Sequence, residues 1–249
     1  MVRPYLQFVD GVLHLELESA QYLAATIEKK QRIVRIDPHE HPIIPAMAAK
    51  LMSLFLLGLI RVLTGAQARW LGCPPKAEQR IYFANHQSHA DLMMIWAALP
   101  EELRSITRPI AAKDYWTGSR FRQWITTAVF NAVYVSRERV ADEDPLEPLI
   151  EALESGDSLI IFPEGTRGST GEPQAFKAGL YNLAVKFPEV VLVPAWINNV
   201  QRVMPKGEVV PVPILCSVTF GAPIRLEADE DRADFLTRAR QAVIALRDM

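Results

Sequence analysis

The feature that most constrains the fold of this chain is an alternation of short apolar runs with helix-like stretches from Ile81 to the C-terminus. Strands are predicted in RIYFAN, SITRPIAAK, NAVYVSR, SLIIFPE, VVLVPAWI and CSVTFGAPI. Helices are predicted near residues 89–98, 114–128, 146–155, 174–187 and 229–247. Strands separated by helices are typical of parallel sheets, because each return connection crosses one face of the sheet. The pattern therefore predicts a single α/β domain with a largely parallel central sheet flanked by helices.

An N-terminal segment precedes this alternation and contains the apolar stretch IIPAMAAKLMSLFLLGLIRVLTGA. On a helix, a narrow and mostly polar stripe is formed by Lys50, Ser53, Leu57, Arg61 and Thr64. The apolar run between Lys50 and Arg61 is too short to span a bilayer by itself. The segment therefore predicts an amphipathic helix that packs into the protein core or lies in a membrane interface. A spanning helix, which would have to bury Lys50, is the third alternative.

Net charge, cysteine spacing and the N-terminal sequence limit the classes of protein to which this chain can belong. The formal net charge of −2 and the isoelectric point near 6.2 argue against a general nucleic-acid binder. The two cysteines, Cys73 and Cys216, have neither CxxC nor metal-ligand spacing, so we expect reduced thiols in a cytoplasmic protein. No early apolar run is followed by a small-residue cleavage site, so no signal peptide is predicted.

Charge is distributed unevenly along the chain. Residues 103–140 contain seven Arg or Lys against two acids, and aromatic side chains are interleaved with these cations. This mixture suits a surface that meets phosphates at an apolar–water boundary. An ordinary solvated face above buried aromatic rings is the alternative.

The stretch NHQSHAD, residues 85–91, brings two imidazoles, a hydroxyl and a carboxylate together. A metal site would use His86, His89 and Asp91, but the remaining histidines all lie near the N-terminus, so no metal is predicted. A nucleophilic triad would need a nucleophile, and no serine stands in a G-x-S-x-G elbow. We expect His89 to be structural.

The third hypothesis makes His86 a general base and Asp91 the carboxylate that orients it. On a regular helix, five residues would separate the two by about 140°. Because RIYFAN is predicted as a strand and ADLMMIWAAL as a helix, the turn between them allows His86 to fold back onto the first helical turn. Asp91 would then fix the imidazole tautomer and stabilise the imidazolium ion. A helix-capping Asp beside a structural His is the alternative.

A second loop, IIFPEGTRGSTGE at residues 160–172, follows another predicted strand. Its glycines allow backbone N–H groups to approach an anion, and Arg167 offers a planar fork for phosphate. The spacing is not that of a P-loop. The loop is therefore either a phosphate site or a plain glycine-rich turn.

Together, the two loops resemble the H-x-x-x-x-D and F-P-E-G-T-R-G motifs of the glycerolipid acyltransferase family, that of 1-acylglycerol-3-phosphate acyltransferases. AAKDYW, NAVYVSR and LVPAWI resemble further blocks of that family, so that the resemblance runs from about Ile81 to about Leu226. It implies an acyltransferase catalytic domain at residues 76–249. Residues 1–75 would form an N-terminal segment whose membrane-interface helix spans about 43–66.

The resemblance implies that His86 is the general base and Asp91 its partner. The acyl group would pass directly from acyl-CoA or acyl-[acyl carrier protein] to the acceptor hydroxyl, with no acyl-enzyme, bound cofactor or metal. Arg167 would bind the acceptor phosphate. The other residues expected around the phosphate are Gly165, Thr166, Glu164, Arg137 and Lys113. Asn85 and Ser88 would support the turn.

The acceptor implied by the resemblance is a lysophospholipid, first of all 1-acylglycerol-3-phosphate, which would give phosphatidic acid. Because such an acceptor comes from a membrane, the resemblance favours an interfacial helix and a contact between anionic lipid and the stretch from Trp116 to Trp124. It implies a peripheral or monotopic protein on the cytoplasmic face of the cell membrane. Another lysolipid or glycerol 3-phosphate as acceptor, a hydrolase and a non-catalytic lipid-binding module are the alternatives. The segment NNVQRVMPKGEVVPVPI either selects the head group or forms a surface loop.

Overall fold

The computed structural model describes residues 43–88, 90–136, 144–168, 171–198 and 215–249. Its helices are α1 (Ile43–Thr64), α2 (Asp91–Ala98), α3 (Glu101–Ser105), α4 (Lys113–Trp116), α5 (Arg120–Trp124), α6 (Glu147–Glu154), α7 (Gly179–Lys186) and α8 (Arg232–Ile244). A π-helical turn, Ile125–Val129, continues α5. Its strands are β1 (Gln67–Trp70), β2 (Arg80–Ala84), β3 (Thr107–Ala112), β4 (Val133–Val135), β5 (Ser158–Ile161), β6 (Val191–Asn198) and β7 (Ser217–Phe220).

The strands form one seven-stranded sheet in the order β1-β7-β6-β2-β5-β3-β4. Every neighbouring pair is parallel except β6 and β7. The expectation of an α/β fold with a largely parallel sheet is therefore confirmed. β1 belongs to this sheet through its pairing with β7, so the sheet begins before residue 76.

The register of the central strands determines where the two loops lie. In the parallel pair of β2 and β5, Phe83 lies opposite Ile161. NHQSHAD follows β2 and FPEGTRG follows β5, so both loops leave the sheet at the same carboxyl edge. Ligands of open α/β sheets bind at this edge.

Both faces of the sheet are covered, as its uninterrupted apolar strands require. All five residues of β2 are buried. Tyr82 and Ala84 pack towards α2 with Trp96, in one hydrophobic cluster. Ile81 and Phe83 pack on the opposite face, in a second cluster to which α6, α7 and α8 contribute. The core therefore consists of two apolar layers separated by the sheet.

All six predicted strands are present, and the differences lie at short or irregular elements. β1 and α3 were not predicted, since β1 is only four residues long and almost wholly exposed. The helix predicted over 114–128 is wrong in its continuity, because Thr117, Gly118 and Ser119 separate α4 from α5. The helix predicted from residue 174 begins only at Gly179.

Helix α1 exposes an apolar face. The large exposed side chains on it are Met47, Leu51, Leu54, Phe55, Leu59 and Val62. Its other side packs against α2 and the π-helical turn, with Ile60 buried. Met47–Thr64 is long and apolar enough to cross a membrane by length and composition alone, and 17% of this stretch is buried. Residues 1–42 and 199–214, which include most of NNVQRVMPKGEVVPVPI, lie outside the described residues.

Candidate active site

The turn between β2 and α2 is organised by the carboxylate of Asp91. Its Oδ2 accepts hydrogen bonds from the backbone N–H groups of Gln87 at 2.6 Å and Ser88 at 2.8 Å. The same oxygen lies 2.9 Å from Nδ1 of His86. Asp91 begins α2, where the N–H groups of the first turn favour an anion. The change from strand to helix thus brings two residues five positions apart into contact.

The hydrogen bonds of Asp91 also determine the tautomer of His86. An ionised carboxylate only accepts hydrogen bonds, so Nδ1 of the imidazole carries the hydrogen and Nε2 is the basic nitrogen. The ring stacks on Phe162, with centroids 4.4 Å apart and planes inclined by 19°. The side chain of His86 is 20% exposed, whereas that of Asp91 is 1% exposed. The imidazole is therefore held by Asp91 and Phe162, and the His86 side chain remains partly accessible.

Glu164 joins the second loop to this turn. Its Oε1 accepts a hydrogen bond from the backbone N–H of His86 at 2.7 Å, and its Oε2 accepts one from the N–H of Gln174 at 2.8 Å. In return, the N–H of Gly168 donates to the carbonyl oxygen of His86 at 2.8 Å. Burial raises the pKa of Glu164, and the two backbone hydrogen bonds partly oppose that rise. The Glu164 carboxylate thus anchors the loops and faces away from solvent.

Asn85 and Ser88 hold the ends of the turn. The side-chain amide of Asn85 donates to the carbonyl of Ile197 at 3.1 Å and accepts from the N–H of Ile197 at 2.8 Å, which ties β2 to β6. Oγ of Ser88 accepts a hydrogen bond from the N–H of Ala90 at 3.2 Å. Both side chains are buried, so their roles are structural.

The remaining phosphate candidates lie at the surface of the same edge. Gly165 adopts φ +69°, a left-handed conformation that favours glycine. Thr166 and Arg167 are exposed in the loop that follows, and the carbonyl of Arg167 accepts a hydrogen bond from Nε2 of Gln174 at 3.4 Å. Lys113 is exposed directly after β3. These groups are accessible to an anion arriving from solvent.

Two residues named from the sequence, His89 and Arg137, lie outside the described residues. Within the described ranges, no group of three or more His, Cys, Asp or Glu side chains is arranged to hold a metal ion.

A cavity of about 270 Å³ opens beside His86. His86, Gly165 and Lys177 are among its lining residues. Its apolar wall comes from the ends of the strands and from α6 and α7, and includes Ile110, Ala112, Val135, Leu146, Leu149, Leu180 and Leu183. A long apolar group with a reactive polar end fits this arrangement.

Lys177 was not predicted to be a site residue. Its sequence position falls in the stretch that was assigned to a helix from residue 174 onwards. In the structure this stretch is extended loop, and the N–H of Lys177 donates to the carbonyl of Pro163 at 2.9 Å. No sequence motif indicated this contact, because it depends on how two loops pack together.

The chain resembles known acyltransferases in sequence. A family model described as Acyltransferase matches residues 73–198. The 1-acyl-sn-glycerol-3-phosphate acyltransferase alpha of Homo sapiens is 30% identical over 165 residues, which cover 64% of this chain and 55% of that protein. The 1-acyl-sn-glycerol-3-phosphate acyltransferase of Cocos nucifera is 31% identical over 183 residues, which cover 68% and 56%. The chain thus spans about half the length of these curated relatives.

The fold is also shared with a solved structure, the 1-acyl-sn-glycerophosphate acyltransferase PlsC of Thermotoga maritima. The TM-score is 0.60 and the sequence identity 19%, over 94% of this chain and 92% of that one. The family model covers half of the chain and includes both the His86–Asp91 turn and the loop from Glu164 to Arg167. The chain therefore belongs to the acyltransferase family.

Proposed function

We propose that this protein transfers a fatty acyl group from an acyl thioester to the hydroxyl of a lysophospholipid. The proposed acceptor is 1-acylglycerol-3-phosphate and the product phosphatidic acid, in phospholipid biosynthesis. The observation that carries the proposal is the 2.9 Å contact between Nδ1 of His86 and Oδ2 of Asp91, beside a largely apolar cavity that His86 lines. The names of the relatives from Homo sapiens and Cocos nucifera support the choice of acceptor.

In the proposed reaction, Nε2 of His86 takes the proton of the acceptor hydroxyl. The hydroxyl oxygen attacks the thioester carbonyl carbon, and the tetrahedral intermediate then collapses with loss of the C–S bond. The departing thiolate takes the proton from Nε2. Asp91 stabilises the imidazolium ion in between, and proton transfer of this kind contributes about 10²–10⁴-fold to the rate. The acyl group never resides on the protein.

The apolar cavity is the proposed site of the acyl chain. Most of its lining side chains are aliphatic, and each buried methylene of a chain contributes about 0.8 kcal/mol to binding. A chain seated there would place its thioester beside His86. The donor is acyl-CoA or acyl-[acyl carrier protein], with no bound cofactor.

Arg167 is the proposed ligand of the acceptor phosphate. Its guanidinium is exposed on the loop that Glu164 ties to His86, so a bound phosphate would stand near the base. A guanidinium fork pairs two phosphate oxygens at once. Lys113, which follows β3 at the same edge, and Arg137 are further candidates.

Helix α1 and the surface beside it are the proposed membrane contact of a peripheral or monotopic protein on the cytoplasmic face. The π-helical turn against which α1 packs continues α5, so the two surfaces adjoin. Phe121 on α5 is 59% exposed and stands between the exposed Arg120 and Arg122. Cations beside an exposed aromatic ring suit an anionic lipid surface.

An assay of purified protein tests the function. Labelled acyl-CoA and acyl-[acyl carrier protein] would be offered with lysolipids that carry or lack a bare phosphate, and with glycerol 3-phosphate. We expect labelled phosphatidic acid from 1-acylglycerol-3-phosphate. Release of labelled free fatty acid alone would indicate a hydrolase, and lipid binding without turnover would indicate a lipid-binding module.

The phosphate site has its own test in the same assay. Arg167→Ala removes a charged hydrogen bond worth about 1.5–3 kcal/mol, so KM for the phosphorylated acceptor should rise at least about tenfold. KM for the donor should stay unchanged. Arg232→Ala, at an exposed position on α8, is the matched control. An equal rise for donor and acceptor would contradict the proposed phosphate site.

A further inference from the structure

Acyl transfer places negative charge on a second atom besides the departing sulfur. As the acceptor oxygen bonds to the thioester carbon, the carbonyl electrons move onto the carbonyl oxygen. Groups aimed at such an oxyanion usually make the largest single contribution to acyl-transfer catalysis. His86 is occupied with the proton, so the oxyanion requires another partner.

Lys177 lies in the right part of the molecule for this task. Its side chain passes directly over Gly165: a Cβ atom built on this glycine would stand 2.6 Å from Nζ and 2.9 Å from Cε of Lys177. The backbone N–H of Lys177 donates to the carbonyl of Pro163 at 2.9 Å. The Lys177 side chain thus lies over Gly165, and its backbone is bonded to the loop that carries the phosphate candidate.

Lys177 is an exposed residue that lines the same cavity as His86. Both His86 and Lys177 line it, and the other described lining residues carry no permanent charge. No carboxylate among the described residues forms an ion pair with Lys177. Arg167, by contrast, is not part of the cavity lining. Lys177 therefore lines the cavity, whereas Arg167 lies on the neighbouring loop outside its lining.

We infer that the Lys177 ammonium donates a hydrogen bond to the carbonyl oxygen of the acyl thioester and stabilises the oxyanion of the tetrahedral intermediate. The inference rests on the proposed acyl transfer. Lys177 keeps its proton throughout: the electrons placed on the oxygen return to the carbon when the C–S bond breaks. The proton lost by the acceptor reaches the thiolate through His86.

Lys177→Met tests the inference, because methionine keeps an unbranched stem over Gly165 and removes the charge. We expect kcat to fall about 10²–10³-fold, the effect of losing one oxyanion donor. KM for the donor and for 1-acylglycerol-3-phosphate should each change less than about threefold. Lys186→Met is the matched control, since Lys186 lies on α7 outside the cavity lining, 3.8 Å from Glu154.

Chemical rescue separates the charge from the shape of the side chain. Lys177→Cys treated with 2-bromoethylamine carries an ammonium at nearly the original position. The native thiols are buried, and burial raises the pKa of Cys73 and brings that of Cys216 to about 11, so both are slow to react. We expect treatment to raise the kcat of Lys177→Cys at least about tenfold, which restores part of the oxyanion contribution. Wild-type protein treated in the same way should keep its kcat.

Several results would overturn the inference. A raised KM for the phosphorylated acceptor at constant kcat would assign Lys177 to the phosphate instead. Unchanged kinetics in Lys177→Met would show that Lys177 has no oxyanion role. A loss of kcat in Lys177→Cys that aminoethylation does not restore would show the same. Wild-type protein that transfers no acyl group to any acceptor would overturn the proposed function itself, which is a separate and visible outcome.

Discussion

The carboxylate of Glu164 accepts a hydrogen bond from the backbone N–H of His86 at 2.7 Å, across 78 residues of sequence. The carbonyl of His86 in turn accepts from the N–H of Gly168. Because both contacts use the main chain of His86, its imidazole remains available to Asp91 on one side and to a substrate on the other. The two sequence motifs thus form a single unit.

The pH dependence of stability should report the buried state of Glu164. Since its pKa is raised in the folded protein, the folded state binds the proton more tightly than the unfolded state. The stabilisation from this group is fully present below its unfolded pKa and is lost as pH rises through the folded pKa. The free energy of unfolding of the wild type minus that of Glu164→Gln should therefore fall over this interval. Urea titrations at a series of pH values measure the difference, and a difference that rises with pH would contradict the assignment.

His86→Ala and Asp91→Ala should separate chemistry from stability. Both should reduce kcat by about 10²–10⁴-fold, because one variant removes the general base and the other removes the carboxylate that orients it. Asp91→Ala should also lower the free energy of unfolding by about 2–3 kcal/mol, since the N–H groups of Gln87 and Ser88 lose their acceptor. His86→Ala loses mainly its stacking on Phe162, about 0.5–1.5 kcal/mol. Rate assays and urea titrations measure both quantities, and normal turnover in His86→Ala would refute the mechanism.

Gly165→Ala should impair both the loop and Lys177. Alanine at φ +69° costs about 1–2 kcal/mol of stability, and its Cβ would displace the lysine side chain. Gly171→Ala is the matched control, because Gly171 also has a positive φ, +77°, but nothing within 4 Å of the added Cβ. We expect similar losses of stability in thermal melts and a fall in kcat for Gly165→Ala alone. If Gly165→Ala and Gly171→Ala have the same kcat, the position of the Lys177 side chain does not affect the reaction.

The sequence predicted the parts of this site that depend on neighbouring residues. The contact between His86 and Asp91 follows from an apolar strand, a polar turn and an acid at the start of a helix, all within a dozen positions. A largely parallel sheet was also predicted, but the meeting of the two loops depends on the pairing of β2 with β5, which only the structure shows. The first is a consequence of local pattern, and the second of strand pairing.

The parts that could not be predicted depend on tertiary contacts. Phe176, Leu180, Leu183 and Phe187 have helical spacing and are all buried, so their spacing correctly indicated the core. Helix α7 nevertheless begins only at Gly179, because the N–H of Gln174 bonds to Glu164 and that of Lys177 to Pro163. These bonds hold the stretch before α7 in loop conformation. Nothing in the spacing of apolar residues reveals an acceptor ten positions away.

The exposed apolar face of α1 can be tested for lipid contact. Leu51 and Phe55 are each 62% exposed, so the double change Leu51→Glu and Phe55→Glu should leave the fold intact. If this face lies in a lipid interface, two lost apolar contacts should weaken binding to vesicles of phosphatidylcholine and phosphatidylglycerol at least about tenfold. Val185→Glu adds a charge at a site on α7 that is 52% exposed and should bind normally. Flotation measures binding and thermal melts measure stability; retained binding with a lowered Tm would show that α1 is a packing element.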